Sequence, residues 1–302
     1  MGYGSIGQRH TEILLELKCE VSVVSQRRID FPQVYGSCSE AIEKVTFDYV
    51  VIANKTSEHY ETLVELVKYC FKGIVLVEKP LFKSNQIIPI NSFLGGFVAY
   101  NLRFHPLVQK LKQVLASEPV LSVQVYVGQY LPFWRPERDY RLSYSAIKIE
   151  GGGVLRDLSH ELDYITWILD GWSEVVATGG HWSHLDIDSD DIFSLLMKTK
   201  KCRAVSIQMN YLDRVNHREI LVNTEDHFYK VDFIQNTFQK DRDISSFPKD
   251  SNYTYRAQHQ ALINGHFDQL CSFDSGLAIV RLIEASEQSV KETLWKKSNE
   301  NL

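Results

Sequence analysis

Two rhythms of apolar residues run along the chain. Behind an opening turn, Ile13, Leu14, Leu15 and Leu17 form a stripe that predicts a helix ending near Lys18. Glu20-Val21-Ser22-Val23-Val24-Ser25 then reads as a buried strand. Tyr49-Val50-Val51-Ile52-Ala53 is the next strand, followed by a helix to about Tyr69 and by a strand within Gly73-Ile74-Val75-Leu76-Val77-Glu78-Lys79-Pro80. Strands alternating with helices across short turns predict a parallel, doubly wound α/β sheet. Polar clusters such as Asn54 to His59 fall just after strands, where such sheets bind ligands. Later the rhythm changes. Asp157 to Ile165 reads as a helix with Leu158, Leu162 and Ile165 on one face. Val175–Thr178, Ile192–Met197 and Ala204–Met209 read as strands, and Asp241 to Tyr253 as an exposed connection.

The opening turn, Gly2-Tyr3-Gly4-Ser5-Ile6-Gly7, has the G-x-G-x-x-G spacing. Such glycines permit a tight turn, close approach of a pyrophosphate and close helix packing. A Rossmann unit needs a strand before this turn, and only Met1 precedes it here. A truncated chain, a mis-chosen start and a protein that lives with a defective sheet all remain open. The missing strand is expected to lower stability and cofactor affinity, because it aims the turn. An NAD site usually has an acid at the end of the second strand, whereas this chain has Ser25-Gln26-Arg27-Arg28. Two guanidiniums and a hydroxyl suit a 2′-phosphate, which favours NADP over NAD.

Composition narrows the class. With 302 residues, 44% apolar and 24% charged, the chain suits about two globular domains. It carries 33 basic against 38 acidic residues, without the basic surplus of a nucleic-acid binder. No apolar run is long enough to span a membrane, and the amino terminus does not read as a signal peptide. Five scattered cysteines without a C-x-x-C pair suit a reduced, cytoplasmic protein rather than a disulfide or zinc framework. Four aspartates between His184 and Asp191 lack the pattern of a calcium loop and read as a solvated loop, so no metal is expected.

With the opening turn through Arg9-His10, the Glu78-Lys79-Pro80 segment and Tyr100-Asn101-Leu102-Arg103-Phe104-His105-Pro106 in view, the sequence resembles the Gfo/Idh/MocA family of nicotinamide-dependent oxidoreductases. Gly151-Gly152-Gly153, Asp157, His160, Asp163 and a closing helix around Leu277 to Ser286 extend the likeness over almost the whole chain. The resemblance implies a Rossmann domain over 1–104 and, over 105–302, an α/β domain with an open, mostly antiparallel sheet that often mediates dimers or tetramers. It implies a sugar, sugar acid, nucleotide sugar or cyclitol as substrate. It assigns Lys79 a catalytic, nicotinamide-side role and gives His160 with Asp157 the acid/base work. Moving a hydroxyl proton suits a His of near-neutral pKa, and a Lys can stabilise charge developing on the reacting oxygen. The cofactor contacts expected are Gly2, Gly4, Ser5, Ile6, Gly7, Ser25, Arg27, Arg28, Ala53, Asn54, Thr56, His59, Glu78, Lys79 and Asn101.

Asp157 stands three residues before His160, where the family more commonly has four, and Arg156 takes the four-back position. Helical spacing still lets Asp157 and His160 share a side. His105, His181 and His184 read as structural. The stretch from Gln129 to Arg141 is dense in aromatics and guanidiniums, and prolines bar an ordinary helix or strand. Aromatic faces stack on sugar C–H surfaces and Arg clamps anions, making Tyr130, Trp134, Arg135, Arg141, Tyr144 and Tyr211 candidate substrate contacts. A lid or an oligomer contact is the other reading of that stretch. For the whole chain, the rivals to an enzyme are a sensor that binds the nucleotide without turnover and an inactive, truncated member of the family.

Overall fold

The computed structural model describes residues 1–298. In chain order its principal elements are α1 (Ser5–Glu16), β1 (Val23–Val24), β2 (Val34–Tyr35), α2 (Cys38–Lys44), β3 (Tyr49–Ile52), α3 (His59–Lys68), β4 (Ile74–Val77), β5 (Gly95–Val98), α4 (Pro106–Val114) and β6 (Val120–Gly128). Then come α5 (Val154–Asp157), α6 (His160–Ile168), β7 (Trp172–Gly180), β8 (Ile192–Thr199), β9 (Val205–Asn210), β10 (His217–Thr224), β11 (Phe228–Asp232), β12 (Thr237–Lys240) and β13 (Asp243–Ser246). The last are α7 (Tyr253–Ile263), β14 (Cys271–Ser272), α8 (Phe273–Glu292) and β15 (Lys296–Lys297). Among the described residues no helix is long and apolar enough to cross a membrane.

The chain forms two compact units, Met1–Phe104 with Ser251–Ala278, and His105–Asp250 with the chain from Ile279 on. The span 105–302 is not one body, because the chain returns to the first unit. There α7 packs on α1 and on the turn Asn101–Phe104, and β14 pairs with β5.

In the first unit β3, β4 and β5 are parallel, with β14 antiparallel at the edge, and β1 and β2 form a separate parallel pair. This is the parallel α/β arrangement that the alternating rhythm predicts. Leu76, Phe97, Ala99, Phe104, Leu262 and Leu270 form a buried cluster beside it. The run from Glu20 to Ser25 shortens to Val23–Val24, since only that part finds β2 as a partner.

The second unit is built on a nine-stranded sheet in the order β13-β12-β11-β10-β6-β9-β8-β7-β15. Only β6 and β9 are parallel; the other neighbours are antiparallel. Burial alternates along β8, with Phe193, Leu195 and Met197 inside, as expected of a sheet covered on one face. The helix α5 packs on β8 and β9. The exposed connection expected from Asp241 contains β13, an edge strand whose four residues are all exposed, so no apolar alternation marks it.

Candidate functional site

The opening turn shows why it holds three glycines. Gly2 has φ +88°, and a Cβ there would stand 2.6 Å from the Ala53 carbonyl oxygen. A Cβ on Gly7 would lie 2.2 Å from the Gly2 carbonyl oxygen, so helix α1 approaches the turn backbone to backbone. Gly4 is different: a Cβ built there meets nothing within 4 Å. It is the N-cap of α1 and supplies no side-chain cap, which leaves the first N–H groups of Ser5 and Ile6 available to an anion. A pyrophosphate fits this cradle, with contact through backbone at Gly4, Ser5 and Ile6.

The neighbouring polar residues divide into open and enclosed ones. Arg27 and Arg28 are exposed, in a loop held by an Arg27 N–H bond to Ser25 Oγ at 3.1 Å. At the end of β3, Asn54 donates to Thr62 Oγ1 at 2.9 Å, while among the described residues its buried Oδ1 has no partner. Thr56 is buried. The buried ring of His59 presents Nδ1 to the Pro80 and Leu81 carbonyls at 3.1 and 3.2 Å, and burial lowers its pKa. A neutral ring there braces the chain just beyond Lys79. Asn101, expected among the cofactor contacts, is enclosed and donates to Thr254 Oγ1 at 2.6 Å. It joins the turn after β5 to α7.

Glu78 ends a buried chain of side chains. His10 Nε2 lies 2.8 Å from Glu78 Oε1, His10 Nδ1 2.8 Å from His259 Nε2, and His259 Nδ1 3.0 Å from the Tyr49 hydroxyl. Burial pushes the Glu78 carboxyl up, but the His10 hydrogen bond and the His10 and Lys79 charges outweigh it and hold the group low. Burial, and then the neighbouring His10, hold His259 well below the usual range. A carboxylate only accepts, so His10 Nε2 carries a proton. Tyr49, His259, His10 and Glu78 thus stand in one continuous line of hydrogen bonds. The other carboxylate oxygen accepts the Lys79 backbone N–H at 3.2 Å. Lys79, half-buried and cis to Pro80, thus stands on a segment fixed from behind.

In the second unit Asp157, Tyr211 and Trp134 come together. The Tyr211 hydroxyl donates to Asp157 Oδ2 at 2.6 Å, and the Trp134 ring meets Tyr211 edge-on at 5.2 Å. Among the described residues the buried Trp134 Nε1 has no partner. Tyr211 is fully enclosed, so it holds Asp157 rather than facing a ligand, and burial followed by the Asp157 charge pushes its pKa well up. Asp157 ends α5 and His160 begins α6. The single helix expected through this segment is broken at Leu158 and Ser159, so i, i+3 spacing does not carry from one to the other. His160 is half-buried, with buried residues on either side of it along the chain.

The remaining candidates are dispersed. Arg135 is exposed. Arg141 is exposed and already matched, bidentate on Asp139 at 2.7 to 3.0 Å and 3.5 Å from Asp186. The Arg214 guanidinium lies 3.2 Å over the half-buried Tyr130 ring, and Tyr144 is half-buried in a short turn. His105 caps α4 by accepting from the Leu107 N–H.

Two aspartates escaped the reading of a solvated loop. Asp186 and Asp188 are exposed, but Asp190 and Asp191 are buried. Asp191 accepts the Trp182 and Ser183 N–H groups at 2.9 Å each. Asp190 accepts the Leu155 N–H at 3.0 Å and fills the space over Gly153, where a Cβ would come within 2.3 Å of its Oδ1. Burial pushes its carboxyl up to about 6. Gly153 has φ +119°, so the glycine run serves both the backbone and this close approach. Beside it Arg156 is paired with Glu287 at 2.6 Å.

Residues 108–228, which include Asp157, His160 and Tyr211, match the model of the GFO/IDH/MocA C-terminal domain. Over those residues the chain is similar to that domain. No curated protein sequence matches the chain. Solved structures share the fold at low identity. GenD2 from gentamicin A biosynthesis, in complex with NAD, is 18% identical with TM-score 0.82, covering 99% of this chain and 95% of its own. Levoglucosan dehydrogenase in complex with NADH is 15% identical with TM-score 0.81, over 98% and 97% of the two chains. A super-repressor mutant of Gal80p from Saccharomyces cerevisiae is 12% identical with TM-score 0.77, over 98% and 94%.

Proposed function

We propose that this Gfo/Idh/MocA chain is a nicotinamide-dependent oxidoreductase interconverting a hydroxyl and a ketone on a sugar, sugar acid, nucleotide sugar or cyclitol. The observation that carries the reading is the open Gly4 at the uncapped start of α1, flanked by two glycines closed by backbone. The nicotinamide, when bound, supplies the hydride acceptor or donor. Gly4, Ser5 and Ile6 hold its pyrophosphate by backbone N–H groups. Lys79 bonds the reacting oxygen, and His160 moves the hydroxyl proton. Tyr211 fixes the Asp157 carboxylate from behind at 2.6 Å. The GenD2 and levoglucosan dehydrogenase structures contain NAD or NADH, yet the exposed Arg27 and Arg28 favour the 2′-phosphate of NADP here. Five scattered cysteines without a C-x-x-C pair fit a reducing compartment, and the reading places the protein in the cytoplasm.

Titration with NADPH and NADH, followed by cofactor fluorescence, tests this reading. Tighter NADPH binding supports it in full, NADH preference overturns the choice of cofactor, and binding of neither overturns the enzyme. The likeness to Gal80p favours a second reading, a nucleotide-binding regulator without turnover. Lys79→Met and His160→Asn separate the two: an enzyme loses turnover while still binding nucleotide, and a regulator has no turnover to lose. We assign the open face of the nine-stranded sheet to a second copy of the chain, giving a homodimer or homotetramer.

A further inference from the structure

The line of side chains behind Glu78 starts on α7, in the same compact unit. His259 and His10 are 0% and 2% exposed, so neither ring can turn to water for a partner. The His259 ring meets the His10 and Tyr49 rings edge-on, with centroids 4.9 and 5.8 Å apart, and packing therefore fixes its plane as well as its bonds. Other residues of α7 hold the same neighbours. The Arg9 guanidinium lies 5.2 Å over the Tyr255 ring, Arg256 stands 3.3 Å from Glu16, and Thr254 Oγ1 accepts from Asn101 at 2.6 Å. Helix α7 thus grips α1 at Arg9, His10 and Glu16, and the turn after β5 at Asn101. Helix α1 in turn serves two ends of one site. Its uncapped start offers the Ser5 and Ile6 N–H groups to a pyrophosphate, and about 7.5 Å further along the axis its His10 meets Glu78.

We propose that His259 is a positioning residue for Lys79, acting through His10 and Glu78. The proposal deepens, and rests on, the reading in which Lys79 bonds the reacting oxygen. Glu78 divides its two oxygens: Oε1 is held by His10 at 2.8 Å, and Oε2 accepts the Lys79 backbone N–H at 3.2 Å. A carboxyl group swings about its last bond unless one oxygen is pinned, because that torsion is soft. Holding Oε1 therefore holds Oε2, and with it the backbone from which the Lys79 side chain springs. Burial favours the neutral carboxyl, and the His10 bond with the His10 and Lys79 charges outweighs it. The far nitrogen of His10 rests on His259 at 2.8 Å. Without His259 that nitrogen is stranded in the interior, which a buried polar group escapes by moving towards a new partner. The shift draws His10 off Glu78 and loosens the acceptor of the Lys79 N–H. His259 thereby sets Lys79 relative to α1, the helix whose start carries the pyrophosphate in the proposed reading.

Hydrogen exchange at the Lys79 amide, on the whole chain without nucleotide, tests the positioning apart from the activity. His259→Leu is compared with Leu63→Val or Leu63→Ala, whichever matches its urea midpoint, since Leu63 is 0% exposed in α3 and outside the line. We expect the Lys79 amide to exchange at least about tenfold faster in His259→Leu than in the matched control, as the loss of one charge-assisted hydrogen bond implies. His259→Gln, whose amide still reaches His10, should return the rate to within about threefold of the parent. Equal rates in His259→Leu and its control, or a His259→Gln chain that exchanges as fast as His259→Leu, would overturn the proposal. Should His259→Leu not fold, His259→Asn replaces it, since its shorter amide keeps Tyr49 and gives up His10. Binding supplies a second readout. ADP-ribose, which has the pyrophosphate but no nicotinamide, should bind His259→Leu as it binds the parent. NADPH or NADH should bind it at least about threefold more weakly, because Lys79 serves the nicotinamide end. Unweakened binding of the nicotinamide nucleotides, or equal weakening of all three, would overturn the positioning as well. A parent that binds none of them overturns the proposed activity instead, and exchange at Lys79 then decides the positioning alone.

Discussion

His259 makes no contact that a composition or a motif would flag, yet it joins Tyr49 to His10 and, through it, to Glu78. His259→Leu would strand the Tyr49 hydroxyl and one His10 nitrogen away from water. We expect a loss of about 1–3 kcal/mol in urea unfolding, the cost of such unsatisfied groups. An unchanged midpoint would show that the chain of bonds contributes nothing. Asp190 gives a pH-dependent case. Its folded pKa of about 6 is above the ordinary 3.8, so the stability it contributes is full below 3.8 and lost as pH rises through 6. Asp190→Asn still accepts the Leu155 N–H. It should match the parent near pH 3.5 and exceed it at pH 8 by up to about 3 kcal/mol, measured as paired unfolding curves. A constant difference across pH would refute the assignment. Sequence made the glycine turn legible because its spacing is local. It left His259 and Asp190 dark because each is defined by neighbours 249 and 35 residues away.

At the scale of elements, the turn into α1 separates a fold requirement from a binding requirement. Gly7 faces the Gly2 carbonyl at 2.2 Å from any added Cβ, and backbone cannot swing aside. Gly7→Ala should therefore lower the melting temperature by several degrees, in line with about 1–3 kcal/mol for overpacking. Gly4 has φ −78° and open space, so Gly4→Val should leave the melting temperature unchanged. The same variant fills the approach to the α1 N–H groups, and we expect at least tenfold weaker nucleotide binding by fluorescence titration. Binding at parental strength would remove the turn from the cofactor site. Periodicity told where α1, α3 and β3 to β4 lie, since each carries its own apolar face. It did not show the break between α5 and α6, because Leu158 and Leu162 continue the helical stripe across it. It also missed β13, held only by pairing with β12 while all four of its side chains are exposed.

Over the whole molecule, the long return of the chain at Ser251–Ala278 was invisible to a linear reading, because a helix such as α7 belongs wherever its partners are. The nine-stranded sheet raises the question of what meets its outer face. One face is covered, as the buried alternate residues of β8 show, and α5 packs there. On the strands β6, β7, β8, β9 and β10 lies a concavity of about 610 Å³, lined by Val176, Leu196, Leu221, Ser206 and Gln208 among others. Leu196 in its lining is 54% exposed, on a face where apolar and uncharged polar residues surround one carboxylate, Glu219, which is paired with Lys230. Charge-poor, partly apolar surface is what the core of a self-complementary interface requires. A stable pair buries about 1,200–2,000 Å² in total, and a broad, open sheet face offers that without rearrangement. A second copy meeting this face would remove Leu196 from water, where an added carboxylate loses its hydration. Leu196→Asp should then convert a dimer to a monomer in sedimentation velocity with little change in the melting of the separated chain, because its side chain lies outside the core. A parent that sediments as a monomer at all concentrations, or a variant that stays dimeric, would take the interface away from this face.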